Sequence, residues 1–323
     1  MEKGQWLVGI DIGGTSVKLA FLTEMGDILH NWEIPTNKAD YGKSVIQDIG
    51  DAIHAKLAEL DVPHEKLKGA GVGAPGPVDT EKGLLFEAVN IGWKDNFPLR
   101  DLMQEAIGVP VAIENDANVA ALGEMWKGAG KGSKDVIAIT LGTGVGGGVI
   151  VNGDIVHGSK GAAGEVGHIT AVPNGGYMCN CGKAGCLETV ASATGVVRTA
   201  QEKLANYLGE SSLKDVLERN GSITAKDIFD AAKLNDELAL SIVDTLANHL
   251  GLALANIGSA LNPEKVVIGG GVSRAGSLLI DSINHYFKKY AFKPVAESTE
   301  IVMAQLGNDA GIVGAGWLAA NKI

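Results

Sequence analysis

Residues 8–15 read VGIDIGGT, and residues 137–144 read IAITLGTG. Each stretch is an apolar, strand-like run that enters a glycine- and threonine-rich turn, returns as a second apolar run, and turns again at a Gly-Asp pair at 26–27 or 153–154. The repeat predicts a duplicated domain with a cleft between the two copies. Strand-like and helical segments alternate elsewhere in the chain, which is typical of an α/β fold.

The periodicity of apolar residues predicts the individual elements. Strands are expected at 6–10, 17–22, 70–73, 109–113, 136–141, 148–151, 265–268 and 300–303. Helices are expected around 45–60 and at 117–126, 188–207, 277–289 and 310–320. A further helix should begin at a capping pair of Thr224 and Asp227, and a separate long helix should end before Pro263.

Two segments, 142–147 and 71–76, fit the G-x-G-x-x-G pattern of dinucleotide-binding folds. That fold requires a helix directly after the glycine turn. Residues 147–151 continue as a strand instead, and Pro75 and Pro77 interrupt the other segment. The dinucleotide interpretation therefore fails on its context.

Composition limits the class of partner. The chain has 323 residues, enough for two domains, and 45 of them are glycines. The formal net charge is −11 and no stripe of Lys and Arg is present, so nucleic acid is not an expected partner. The N-terminus has no signal-peptide pattern, and the uncharged stretches at 136–153 and 245–263 contain many glycine and polar residues. We therefore expect a soluble, cytoplasmic protein with no membrane partner.

The glycine and threonine turns at 11–15 and 140–144 suit phosphate binding. Successive backbone N–H groups in such a turn form a concave nest for phosphate oxygens, and threonine hydroxyls add donors. Asp11, at the end of the first strand, is placed to bind Mg²⁺ directly or through water. Either turn alone is also explained as a structural hairpin, but the pair favours nucleotide binding.

Three motifs together resemble those of a known superfamily. Residues 11–15 and 140–144 look like the two phosphate motifs, and residues 269–273 like the adenosine motif, of the sugar kinase, actin and Hsp70 superfamily. Within it the chain resembles the ROK family, which contains sugar kinases and repressors, and the match runs from Asp11 to at least Ser273. ROK repressors carry an added N-terminal DNA-binding domain, for which the ten residues before Asp11 are too few.

This resemblance implies an α/β fold of two ribonuclease-H-like domains, of the actin-like ATPase type, around an interdomain cleft. The smaller domain would comprise 1–118 plus 305–323, and the larger, with a zinc-binding loop, 119–304. The resemblance also implies ATP and Mg²⁺ as ligands and a homodimer or homotetramer. The ATP-binding residues it implies are Gly13, Gly14, Thr15, Lys18, Gly142, Thr143, Gly144, Gly270 and Gly271.

Residues 114–118 read ENDAN and lie where a predicted strand ends and a helix begins. In one interpretation Asn115 or Asp116 caps the helix, since both residue types are common caps. In the other, Asp116 is a catalytic base that accepts the proton of an attacking sugar hydroxyl. The segment resembles the catalytic motif of ROK kinases, which favours the base.

Carboxylate, carboxamide and imidazole groups supply the directed hydrogen bonds that a sugar needs. The residues that match sugar-contacting positions of the ROK family are Asn90, Asn115, Asp116, Glu165, His168 and Glu188. Residues 89–93 most resemble the branch that phosphorylates glucose, so we expect an ATP:hexose phosphotransferase that forms glucose 6-phosphate. The alternatives are a ROK kinase for fructose, mannose or N-acetylmannosamine, and a non-catalytic sugar-responsive regulator.

The three cysteines of the chain all lie within residues 179–186. With His168, the thiolates of Cys179, Cys181 and Cys186 make a closed four-ligand set that is typical of structural zinc. Three free thiols are the alternative, which the close spacing and the intervening glycines disfavour. The same cluster is a feature of ROK proteins, and zinc there would order the loop that carries Glu188.

Overall fold

The computed structural model describes residues 4–94 and 96–323. The strands are β1 (Trp6–Ile12), β2 (Ser16–Thr23), β3 (Ile28–Pro35), β4 (Leu67–Ala74), β5 (Val78–Asp79), β6 (Leu84–Leu85), β7 (Val111–Asn115), β8 (Val136–Leu141), β9 (Val145–Val151), β10 (Asp154–Ile155), β11 (Lys265–Gly269) and β12 (Glu300–Met303). The helices are α1 (Val45–Glu59), α2 (Leu99–Ile107), α3 (Asp116–Trp126), α4 (Glu188–Ala191), α5 (Ala193–Asn206), α6 (Ser212–Asn220), α7 (Ala225–Lys233), α8 (Glu237–Leu261), α9 (Ser277–Tyr290), α10 (Lys293–Ser298) and α11 (Ala310–Asn321).

Two five-stranded sheets share one strand order. The first is ordered β3-β2-β1-β4-β7 and the second β10-β9-β8-β11-β12. In the first sheet β1 pairs antiparallel with β2, and β4 pairs in parallel with the strands on both of its sides, β1 and β7. In the second sheet β11 likewise pairs in parallel with both β8 and β12. The strand–turn–strand repeat predicted from the sequence therefore corresponds to a repeated sheet topology.

The contacts within the chain divide it into two compact units. Unit 1 comprises Met1–Gly132, Gly148–Gly164 and Gln305–Ile323. Unit 2 comprises Ser133–Gly147 and Glu165–Ala304. The domain boundaries expected from the sequence assign 119–132 and 148–164 differently, and those boundaries stay a prediction.

One face of β1 in unit 1 is shaped for the close approach of α11. Successive side chains of a strand point to opposite faces, so Gly9 and Asp11 lie on the same face. A Cβ on Gly9 would overlap the carbonyl oxygen of Ile312, and a Cβ on Gly311 would overlap the Asp11 carboxylate. Glycine at these positions lets the backbone of α11 lie directly against the sheet. The first turn of α11 therefore abuts Asp11.

Unit 2 is dominated by helices, of which α8 is the longest in the described chain. Asp236 caps its start by accepting from the Ala239 N–H at 3.0 Å, and Asn262 ends it in the left-handed conformation (φ 43°). By length and composition α8 is apolar enough to cross a membrane, but most of its apolar window is buried inside the unit. Such burial is typical of the core helix of a soluble protein.

The predicted single helix at 188–207 is wrong. Ser192 is extended (φ −76°, ψ 167°) and separates α4 from α5. Its hydroxyl accepts from the Gly195 N–H at 3.1 Å, so it acts as the N-cap of α5. By contrast, the predicted capping pair of Thr224 and Asp227 is confirmed as a reciprocal capping box at α7.

Candidate active site

The first glycine turn follows β1 and is held through its carbonyl groups. The Gly13 N–H donates to the Ser16 carbonyl at 3.0 Å, which closes the hairpin between β1 and β2. The Thr36 hydroxyl donates to the Gly13 carbonyl at 2.7 Å, and the Thr36 N–H donates to the Thr15 carbonyl at 3.0 Å. Because Thr36 holds the Gly13 and Thr15 carbonyls, the turn has the rigidity that a phosphate-binding loop requires.

Asp11 lies beside this turn in an environment that disfavours negative charge. Burial and the charge of Asp116 raise the pKa of Asp11 from 3.8 to about 6, while Lys18 opposes the shift. Lys18 is the cross-strand partner of Asp11, and its ammonium group donates to the Asn308 carbonyl at 3.0 Å. Carboxylate oxygens are preferred ligands of divalent cations, and the charge of Asp116 acts on Asp11, so the residues present fit Mg²⁺.

The structure assigns the helix cap to Asn115. Its side-chain oxygen accepts from the N–H groups of Ala117 at 3.0 Å and Asn118 at 3.3 Å, and its amide donates to the Gly76 carbonyl at 3.1 Å. Asp116 is the first residue of α3, is exposed, and accepts from the Ala117 N–H at 2.7 Å. The alternative in which Asp116 is needed as the cap therefore loses its main support.

Asn90 belongs to a tight loop next to the first glycine turn. The loop is closed by the Ala88 N–H, which donates to the Trp93 carbonyl at 2.9 Å, and Trp93 donates through its indole N–H to the Gly42 carbonyl at 3.2 Å. A Cβ placed on Gly14 would lie 3.5 Å from the Cβ of Asn90. Unit 1 thus brings together Asp11, the glycine turn, Asn90, Asn115 and Asp116.

A second glycine turn, at 142–144, follows β8 in unit 2. The Gly142 N–H donates to the Gly144 carbonyl at 2.9 Å, and the first turn of α5 donates back to the hairpin, from Ala193 N–H to the Gly142 carbonyl at 2.8 Å. The Thr194 hydroxyl also donates to the Thr143 carbonyl at 3.2 Å. The N-terminus of α5 therefore braces this turn.

The predicted adenosine-binding glycines adjoin the same hairpin. Gly270 directly follows β11 and has a φ of 87°, a conformation that favours glycine. A Cβ on Gly270 would lie 2.5 Å from the Leu141 carbonyl oxygen, whereas the corresponding position on Gly271 meets no atom within 4 Å. Gly270 packs on the strand that enters the phosphate turn, and Gly271 faces open space.

The histidine and the three cysteines form one cluster in unit 2. The four candidate ligand atoms of His168, Cys179, Cys181 and Cys186 all lie within 4.8 Å of one another. Cys179 Sγ is 3.6 Å from His168 Nδ1, and Cys181 Sγ is 3.5 Å from Cys186 Sγ. A tetrahedral zinc ion with bonds of about 2.0–2.3 Å needs ligand separations of about 3.5–3.8 Å. The Cys₃His group therefore fits a structural zinc ion.

Burial also argues for a cation at this cluster. Burial and the neighbouring Cys181 and Cys179 raise the pKa of Cys186 to about 12. A hydrogen bond from the Lys183 backbone lowers the pKa of Cys181, which is exposed. Without a metal the buried Cys186 thiol resists ionisation, whereas zinc binds cysteine as the thiolate.

Glu165, His168 and Glu188 lie around this cluster. His168 uses Nδ1 toward Cys179, and its Nε2 is 3.9 Å from the Glu165 carboxylate. The Glu188 carboxylate accepts from the Val145 N–H at 3.0 Å and lies 3.7 Å from Cys179 Sγ. The six expected sugar-contacting residues thus fall into two groups of three, one in each unit.

The sequence reasoning missed the partners of Glu114. This carboxylate is 2% exposed and contacts the Asn115 N–H, the Asn118 amide and His157. The available signal was an acidic residue at the end of a buried strand, directly before the Asn-Asp pair. Its histidine partner is 43 positions away, which no local pattern indicates.

Comparison with known proteins gives the same family throughout. The ROK family model matches residues 7–322. The chain is 54% identical to a glucokinase of Halalkalibacterium halodurans over 98% of this chain and 96% of that protein. It is 38% identical to a glucokinase of Thermotoga maritima, over 98% of each chain.

The structural comparison agrees with the sequence comparison. The structure of a ROK family glucokinase from Streptomyces griseus in complex with glucose and AMPPNP superposes with a TM-score of 0.75 at 36% identity, covering 97% of this chain and 98% of that one. The predicted fold class, α/β with the actin-like two-domain fold, is confirmed by this likeness. The chain belongs to the ROK family.

Proposed function

We propose that this protein transfers the γ-phosphoryl group of ATP to glucose and releases glucose 6-phosphate. The observation that carries the proposal is the 54% identity, over nearly the whole chain, to a curated glucokinase. The activity predicted from the sequence agrees with it. The likeness to a ROK glucokinase crystallised with glucose and AMPPNP supports the same reaction.

In this reaction Asp116 is the catalytic base. It is exposed at the start of α3, while Asn115 carries the helix cap. Asp116 accepts the hydroxyl proton as the oxygen attacks the γ-phosphorus, and it orients that oxygen in line with the leaving group. Asn115, fixed by the Gly76 carbonyl, holds Asp116 at the entrance of the helix.

The two glycine turns hold the triphosphate. Gly13, Gly14 and Thr15 offer backbone and hydroxyl donors, as do Gly142, Thr143 and Gly144. Lys18 adds positive charge beside the first turn, and Gly270 and Gly271 leave room for the adenosine. Asp11 holds Mg²⁺, which when bound neutralises charge on the phosphates.

The sugar is held by the six residues named from the sequence. These residues are Asn90, Asn115, Asp116, Glu165, His168 and Glu188. His168 has two functions in this assignment: Nδ1 binds zinc, and Nε2, which faces Glu165, binds a sugar hydroxyl. Ligation of one ring nitrogen fixes the tautomer and direction of the other.

Zinc at His168, Cys179, Cys181 and Cys186 is structural. With four protein ligands no position remains for substrate, so the ion orders the loop and takes no part in the chemistry. We further propose that the protein acts in the cytoplasm as a homodimer or homotetramer, with neither nucleic acid nor a membrane as a partner. The net charge of −11 supports the exclusion of nucleic acid.

The alternatives are kinases for other hexoses and a non-catalytic regulator. A coupled ADP-release assay with Mg-ATP and a panel of glucose, fructose, mannose and N-acetylmannosamine separates them. We expect the highest kcat/KM with glucose. A higher kcat/KM with another hexose would mean that the protein is a kinase whose substrate is that hexose and not glucose. The absence of ADP release with every sugar would favour the non-catalytic regulator.

A further inference from the structure

A buried carboxylate fixes the turn that contains Asp116. Glu114, at the end of β7, accepts through Oε1 from the Asn115 N–H at 2.8 Å and from the Asn118 side-chain amide at 3.0 Å. These two donors lie on either side of Asp116 in the sequence. The Glu114 carboxylate therefore holds the residues on both sides of Asp116.

The other carboxylate oxygen is held by a distant histidine. His157 Nε2 lies 2.6 Å from Glu114 Oε2. Backbone hydrogen bonds anchor His157 on both sides, from the Val156 N–H to the Val149 carbonyl at 2.9 Å and from the Ala163 N–H to the His157 carbonyl at 3.1 Å. A carboxylate that is 2% exposed is costly to keep ionised unless it is paired and fully hydrogen-bonded. A protonated imidazole meets both requirements.

We propose that protonated His157 is a positioning residue, which holds Glu114 and through it the catalytic turn at Asp116. The inference rests on the proposed function, in which Asp116 is the base, and it extends that function to two residues that do not contact substrate. Neither Glu114 nor His157 is among the expected sugar, nucleotide or metal ligands.

The charges around His157 set the direction of its pH dependence. The hydrogen bond with Glu114 raises the pKa of His157, burial opposes this, Asp154 raises it further and Lys322 lowers it. The other charged groups near it line a cavity of about 520 Å³ that His157 also borders: Asp79, Glu81 and Lys160. Because the folded-state pKa exceeds the ordinary value, the pair is fully formed below about pH 6.5. It is lost as the pH rises through the raised pKa, and turnover should fall in the same interval.

The test is a pH profile of kcat and KM for the wild type, His157→Gln, Glu114→Gln and the double variant. Glutamine at 157 retains an N–H donor but cannot carry charge. We expect kcat to fall roughly tenfold in each single variant, as a displaced catalytic group costs tenfold to a hundredfold. The KM for ATP should stay unchanged, the alkaline decline should disappear, and the double variant should be no slower than the slower single variant. His285→Gln, at an exposed position on α9, is the matched control.

If the wild type is active, two kinetic results would overturn the inference. One is multiplicative loss of kcat in the double variant, which would mean that the two residues act independently. The other is an alkaline decline in His157→Gln identical to that of the wild type. An NMR titration of the His157 ring gives a readout that does not depend on activity: its pKa should exceed the ordinary histidine value of about 6.5 and should fall in Glu114→Gln, and an unshifted pKa would contradict the pair. Failure of the proposed kinase activity can be distinguished from failure of this inference, because in the first case the wild type itself would release no ADP.

Discussion

The Glu188 carboxylate accepts a hydrogen bond from the backbone N–H of Val145 at 3.0 Å. Val145 directly follows Gly144, the last residue of the second glycine turn, while the other oxygen of the same carboxylate lies 3.7 Å from Cys179 Sγ. One side chain therefore joins the turn assigned to phosphate with the cluster assigned to zinc. Since Glu188 is also assigned to the sugar, a change in the turn that displaces this carboxylate should affect both substrates.

Substitution of Gly144 by Ala tests this connection. The new Cβ would overlap Glu188 Oε2, so the carboxylate must move away from Val145. A hydrogen bond to a charged group contributes about 1.5–3 kcal/mol, which corresponds to roughly a tenfold change or more. Steady-state kinetics should show KM raised at least about tenfold for both ATP and glucose. A change in the KM for ATP alone would mean that the turn and the sugar site are independent.

Asp11→Asn should separate stability from activity. The wild-type carboxylate is buried near Asp116, which disfavours its charge, so the neutral amide should raise the melting temperature of the nucleotide-free protein. The same change removes the proposed Mg²⁺ ligand, and turnover with Mg-ATP should fall by about a hundredfold or more. Thermal melts and ADP release measure the two effects. Asp51→Asn, at an exposed position on α1, should change neither, and an Asp11→Asn variant with wild-type turnover would refute the assignment.

Cys181→Ala should release the metal from the cluster. Elemental analysis of the wild type should find about one zinc per chain, and the variant should have far less. Because the loop before Glu188 is then disordered, glucose binding should weaken, while ATP binding is largely retained. Met178→Ala, at an exposed neighbour that is not a ligand, is the control. A zinc-free wild type with normal glucose affinity would leave the Cys₃His group without a function.

Gly314→Ala should strongly destabilise unit 1. A Cβ at this position of α11 would overlap the backbone carbonyl of Val119 on α3, and a backbone group cannot rotate away. We expect the free energy of unfolding to drop by about 3 kcal/mol, at the upper end of typical overpacking effects. Gly316→Ala is the matched comparison, since its Cβ would lie 3.1 Å from the mobile end of Leu22. Equal losses in denaturant melts of both variants would contradict this packing.

The sequence predicted best the elements whose apolar residues are contiguous and buried. β8 occupies the predicted residues, because its burial on both faces leaves an unbroken apolar run. β3 was missed since it is an edge strand whose side chains are exposed or half-buried, so it carries no such run. The break at Ser192 was missed because serine is tolerated inside helices, and only the observed backbone shows that it caps one.

The candidate site divides in the same way. Each glycine turn is a local pattern, and so is the Cys₃His group, whose four ligand atoms lie together as their spacing predicted. The roles of Asn90 and Glu165 came from family resemblance, since nothing in their immediate sequence distinguishes them from other loop residues. The contact between Glu114 and His157 depends on packing between β7 and the segment after β10, which a pattern in one short segment does not contain.

The central claim is that Asp116 is the base of a glucose kinase, and the turnover of Asp116→Asn tests it most directly. Asparagine keeps the shape of the side chain and its contact with the Ala117 N–H as an acceptor, but it cannot take the proton. We expect kcat to fall by at least about a thousandfold, within the usual range for loss of a general base, while calorimetry still detects glucose binding. A variant that retains kcat within about tenfold of the wild type, or about 1.4 kcal/mol in barrier, would show that Asp116 is not the base.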